Sequence, residues 1–167
     1  MTNKIFKNNI NITVLVTSAS QREITLQTVN YYSQICSEVI FIDEQKPYLS
    51  ETEVNRLTLK GIKYIPYEFD SQKGLHNSPY KKRLVGANVS KNEYLVHSNH
   101  DERYTTLGLL ECVKELENNK DLSFCIGQAI AIRKNNSKIH FTRSYNNLSA
   151  YENINNTNQR LYHLRVL

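Results

Sequence analysis

Residues 92 to 104 read NEYLVHSNHDERY, an apolar run of strand character that stops on Asn99, His100, Asp101 and Glu102. Asn99 and Asp101, two apart across a strand end, offer the carboxylate and carbonyl oxygens that Mn²⁺ or Mg²⁺ takes as ligands. His97 and His100 with Asp101 form a competing imidazole set for zinc. That set lacks a fourth ligand, and alternation along a strand turns His97 to a different side. His100 could act as a general base, a role nothing else in the sequence supports.

Such a cluster acts only if a framework holds it, and the hydrophobic pattern supplies a repeated strand-then-helix rhythm. ITVLVT (12–17) is a β-branched strand, followed by Ser18 and Ser20 as candidate helix caps and by the helical stretch REITLQTVNYYSQI. EVIFID (38–43) is a second strand. A short helix follows, with Ser50 as cap, Glu53 three residues on and Gly61 at its end. IKYIPYE (62–68) is a third strand that Pro66 pushes toward a sheet edge or toward its own end. FDSQKGLHNSP is a loop, YKKRLVGANVS a helix, and EYLVHS (93–98) the fourth strand.

Downstream, TLGLLECVKELENN carries apolar residues at 107, 109, 110, 113 and 116, the spacing of one buried helix face. LSFCIGQAIAIR and KIHFTRSY are extended segments joined by KNNS as a hairpin turn. Alternating strands and helices imply an α/β, Rossmann-like domain with a mostly parallel sheet covered on both faces. The expected organisation is one domain over 1–145 and a polar, Asn-rich tail over 146–167, with a final helical turn at QRLYHL.

At 167 residues and 40% apolar composition the chain suits one ordinary core. No stretch approaches the roughly 20 apolar residues of a membrane helix, and MTNKIFKNN lacks a secretory core, so a cytoplasmic location is expected. Cys36, Cys112 and Cys125 have no paired spacing and read as buried thiols rather than a disulfide framework. The net charge of +5 suits an anionic partner, but Lys81-Lys82-Arg83 is the only tight basic cluster, too short for a nucleic-acid patch.

Ligands of open parallel sheets bind beyond the carboxyl ends of the strands. Those ends are polar throughout: Thr17 and Ser18, then Asp43 and Glu44, then Glu68 and Asp70, then Asn99 to Glu102. Neither G-x-G-x-x-G nor G-x-x-x-x-G-K-[ST] occurs, which argues against dinucleotide oxidoreductases and P-loop kinases. A diphosphate bound without a glycine cradle must be neutralised another way, and a divalent cation does that.

From about Ile12 to Ile132 the chain resembles the nucleotide-binding half of a family 2 type, GT-A glycosyltransferase. The resemblance rests on VLVTSAS leading to REITLQTVNYY, on VIFIDE, on the basic helix in LHNSPYKKRLVGANVS, and on NEYLVHSNHDE. It implies that Thr17, Ser18, Asp43, Lys82 and Arg83 bind the nucleotide, with Asp43 on uracil or ribose. It also implies that Asn99 and Asp101 stand at the metal-binding D-x-D motif. Asn99 removes one negative charge from that site, and Glu102 could compensate.

The resemblance implies inverting transfer of a sugar, from a UDP-sugar in the first instance, to a glycan acceptor hydroxyl. The acceptor side and the base would lie beyond the hairpin at 123–145, so the catalytic base stays unassigned and the chain may be read as a fragment. Two other readings compete: a nucleotidyltransferase, which TSASQRE serves poorly for want of glycines, and a non-catalytic nucleotide-sugar-binding or assembly module.

Overall fold

The computed structural model describes residues 10–18, 21–68, 78–125, 129–132 and 139–143. The chain divides into two compact units, Met1–Arg103 and Tyr104–Leu167. Unit 1 holds β1 (Ile10–Ser18), α1 (Arg22–Tyr32), β2 (Cys36–Asp43), α2 (Glu51–Thr58), β3 (Ile62–Pro66), α3 (Ser78–Asn88) and β4 (Tyr94–Asn99). Unit 2 holds α4 (Thr106–Asn118), β5 (Ala129–Ile132) and β6 (Ile139–Arg143).

The four strands of unit 1 form a parallel sheet in the order β3-β2-β1-β4. Parallel neighbours in register share a face. One face therefore carries Leu15, Ile40, His97 and, nearer the carboxyl ends, Thr17, Ile42 and Asn99. The opposite face carries Val14, Val16 and Ser18 beside Val39, Phe41 and Asp43, with Val96 and Ser98 on β4. Val14, Val16, Ile40, Phe41 and Ile42 are fully sealed from water, which explains why β1 and β2 read as unbroken apolar runs.

The helices lie on both faces, as the strand order demands. Right-handed crossovers from β1 to β2 and β2 to β3 step one way, and the return from β3 past β1 to β4 puts its helix on the other side. α1 covers the Val14 face, where its Tyr32 hydroxyl lies 3.2 Å from Ser98 Oγ. α3 covers the Leu15 face at very short range: a Cβ on Gly86 would sit 2.8 Å from Ile42 Cδ1 and 2.9 Å from Leu15 Cδ2. Glycine is the residue that permits that approach.

Several boundaries match the sequence pattern and others do not. α2 has the reciprocal cap of Ser50 and Glu53, and Gly61 follows it at φ 75°. β3 is an edge strand ending on Pro66, so both readings of that proline hold. α1 stops at Tyr32 rather than Ile35, because Ile35 turns its carbonyl to the Ile10 N–H at 2.9 Å and feeds β2 from Cys36. Ser18 is not a helix cap but the last residue of β1. The cap position is Gln21, left-handed at φ 56° with no capping side chain; Ser20 lies outside the described residues.

In unit 2, Thr105 caps α4 by accepting the Gly108 N–H at 3.1 Å. The stripe expected to be buried is narrower than the pattern suggests: Leu109 is sealed, whereas Leu107 is 69% and Leu110 42% exposed. β5 and β6 pair antiparallel. The KNNS turn, the loop from 69 to 77 and the tail from 146 lie outside the described residues. Among the described residues no helix is long and apolar enough to cross a membrane.

Candidate functional site at the carboxyl edge of the sheet

In the order β3-β2-β1-β4 the connections from β1 and from β3 depart in opposite directions, so the topological switch point, where open parallel sheets form their ligand crevice, falls between the carboxyl ends of β1 and β4. Thr17 of β1 and Asn99 of β4 are register partners at that point. Thr17 Oγ1 lies 3.4 Å from His97 Nε2, one row deeper on the same face.

The knot after β4 is a fastened turn. Asn99 O accepts the Glu102 N–H at 3.2 Å, and the Glu102 carboxylate accepts the Asn99 N–H, also at 3.2 Å. α1 secures the same turn with hydroxyls: Thr28 donates to His100 O at 2.7 Å, and Tyr32 donates to Glu102 O at 3.1 Å. Ser98 Oγ adds a third donation, to Glu102 O at 3.0 Å. The Glu102 carboxylate thus folds back on the turn through one of its oxygens. Asp101, at the tip, is exposed.

The end of β2 is built in the opposite way. Asp43 is 0% exposed, and its Oδ2 accepts from Arg22 Nε and from the Tyr64 hydroxyl, each at 3.1 Å. Arg22 Nη2 closes the ion pair at 2.9 Å, while Asp43 Oδ1 accepts the Gln45 N–H at 3.0 Å. Protein donors therefore meet both oxygens of this sealed carboxylate. Burial pushes the Tyr64 phenol above its ordinary value, with the neighbouring Asp43 charge adding to the shift.

Glu44, one residue on, takes the other basic helix. Lys82 of α3 is 4% exposed; its Nζ pairs with the Glu44 carboxylate and lies 3.5 Å from Ser18 O, which also accepts the Glu44 N–H at 3.1 Å. Ser18 Oγ is taken by Thr25 Oγ1 at 3.0 Å. Arg83 is half-buried, its guanidinium 5.9 Å from the Tyr80 ring centre, and its Nε has no hydrogen-bond partner.

The residues singled out in the sequence therefore separate. Thr17 and Asn99 meet at the switch point with Asp101 two residues beyond, Ser18, Asp43 and Lys82 are knit into the protein's own hydrogen bonds, and Arg83 lies against Tyr80. Asp43 and Asp101 do not share a surface: Asp43 stands on β2, two strand spacings or about 10 Å from β4, and points into the α1 face. The sequence reading missed Arg22 and Tyr32, and it named Glu44 at the strand end without its partner Lys82. Arg22 did carry a signal, because a cation in the first turn of a helix opposes the macrodipole and needs a specific partner.

Among the described residues there is no group of three or more His, Cys, Asp or Glu side chains that could cage a metal ion. One exposed carboxylate beside an amide carbonyl does fit the habit of Mg²⁺, which binds through one or two carboxylates and completes its shell with phosphate oxygens and water. No protein-family model matches the sequence, and no curated protein matches it at a significant level.

Proposed function

We propose that the chain is a glycosyltransferase of the GT-A kind that binds a nucleoside-diphosphate sugar across the β1–β4 crevice and passes the sugar, with inversion, to an acceptor hydroxyl. The observation that carries this reading is the meeting of Thr17 and Asn99 at the switch point of a parallel sheet, with Asp101 exposed just beyond them. In the same reading β5 and β6 are the hairpin that follows the nucleotide-binding half.

Asp101 and the Asn99 side-chain carbonyl would hold Mn²⁺ or Mg²⁺, and such an ion when bound offsets the charge on a departing diphosphate. In this reading Arg83, half-buried on α3 with an Nε that meets no protein acceptor, would add a hydrogen bond to phosphate. Asp43 serves by anchoring α1 and the segment after β2 through Arg22 and Gln45, which fixes the floor on which the nucleoside rests.

A second reading, a nucleotide-sugar-binding module without transfer, draws support from Lys82 being held by Glu44 and from the amide in place of an acid at Asn99. Titration calorimetry with UDP, with and without Mn²⁺, followed by a donor-hydrolysis assay, separates the two. Metal-dependent binding with turnover supports the transferase, binding without turnover selects the module, and no binding of UDP or UDP-sugars overturns both.

A further inference from the structure

The face of α1 that lies on the sheet is built from Thr25, Thr28, Val29 and Tyr32, all 0% exposed. Their spacing is that of one helix face, and apolar side chains alone would cover the sheet. Three of the four instead carry a hydroxyl, which burial obliges to find a partner. Thr25 finds Ser18 Oγ at the end of β1. The other two reach the turn after β4: Thr28 donates to His100 O at 2.7 Å and Tyr32 to Glu102 O at 3.1 Å. Those carbonyls belong to the residues immediately before and after Asp101, so α1 grips the backbone on each side of the exposed carboxylate.

We propose that Thr28 and Tyr32 are positioning residues for Asp101, whose hydroxyls fix the carbonyls on either side of it and thereby set where its carboxylate stands beside the β1–β4 switch point. Strand pairing cannot do this, because the register of β4 with β1 ends at Asn99. The hydrogen bonds between Glu102 and Asn99 join the turn only to its own strand. The α1 hydroxyls tie it to a second element. The two anchors are unequal: Glu102 O also receives Ser98 Oγ at 3.0 Å, so it keeps a donor when Tyr32 loses its hydroxyl. Thr28 therefore carries the larger share.

The consequence for a ligand rests on the glycosyltransferase reading, in which Asp101 meets a divalent cation. Groups that orient a metal ligand without touching the ion typically change its affinity by about 10–100-fold. Thr28→Val keeps the shape of the side chain and removes the donor, whereas Thr28→Ser keeps the donor. Val29→Ala loosens the same helix face with no hydroxyl to lose, and so controls for packing.

Two measurements on the full chain test this. Amide hydrogen exchange followed by NMR reads the turn itself through the Glu102 N–H. In Thr28→Val that amide should exchange roughly ten-fold faster than in Val29→Ala, the equivalent of one hydrogen bond, and Thr28→Ser should restore it. Should Thr28→Val not fold, Tyr32→Phe carries the same test with a smaller expected change of about three-fold, since Ser98 remains. Exchange no faster than in Val29→Ala would overturn the proposal. Calorimetric titration of Mn²⁺ into the chain with UDP then reads the carboxylate: Thr28→Val should bind Mn²⁺ about ten-fold more weakly than wild type, and Val29→Ala should not. A loosened turn with unchanged Mn²⁺ affinity would also overturn it. A loosened turn in a chain whose wild type binds no Mn²⁺–UDP upholds the anchoring of Asp101 and removes the glycosyltransferase reading instead.

Discussion

The ends of β2 and β4 are both acidic, yet they do opposite things with their charge. At β2, Asp43 and Glu44 each hold a cation from a different helix, Arg22 of α1 on one face and Lys82 of α3 on the other. At β4, hydroxyls and backbone groups secure the turn, and the Asp101 carboxylate is left in water. An acid after a strand is thus not by itself a ligand. What distinguishes the two ends is whether the flanking helices send a cation or a hydroxyl.

The contrast is broken most severely at Arg22. Arg22→Met strands the Asp43 charge in a sealed site, and urea unfolding should show a loss of about 3–5 kcal/mol. A loss below 1 kcal/mol, with the fold intact, would mean that water reaches Asp43. Lys82→Met leaves Glu44, with its side chain 16% exposed, without its cation and should cost about 3 kcal/mol in the same measurement. Because Lys82 also lies by Ser18 O, comparing UDP affinity in this variant with that of a destabilised core variant tells whether the lysine serves the ligand as well.

Tyr64 probes the closed end more gently. Its phenol is raised above 10.0, chiefly by burial, so the stability it contributes is complete below pH 10 and is lost as pH rises through the folded value. Tyr64→Phe removes one donor to Asp43, should cost about 1 kcal/mol, and should flatten the alkaline fall in melting temperature. An alkaline profile unchanged by the substitution would place the sensitive group elsewhere. Asp101→Ala stands at the far end of the series: its stability should stay within about 0.5 kcal/mol of wild type while metal-dependent UDP binding disappears. Unchanged UDP affinity would remove Asp101 from the site.

The fold was legible wherever local chemistry suffices. The buried runs of β1 and β2, the Ser50–Glu53 cap and the terminating Pro66 each state their own structure. The end of α1 was not, because Ser33, Gln34 and Ile35 continue a helical pattern and only the pairing of Ile35 O with β1 stops it. Leu107 and Leu110 keep helical spacing without being buried, since periodicity marks a face and not what covers it. At the site, Thr17, Asn99 and Asp101 follow from the rule about strand ends. The enclosure of Asp43 depends on Arg22 and Tyr64, 21 residues away on either side, and no local motif announces that meeting.

Gly86 lies one helical turn beyond Lys82 on α3, and its bare Cα lets the helix sink against Leu15 and Ile42. The depth of that seat governs how far the lysine reaches. Any side chain at 86 acts as a shim that lifts α3 and withdraws the ammonium from the β1 terminus. A position with no chemistry of its own thereby gauges where a positive charge stands, and Gly86→Val should perturb the Lys82–Glu44 contact before it perturbs the sheet.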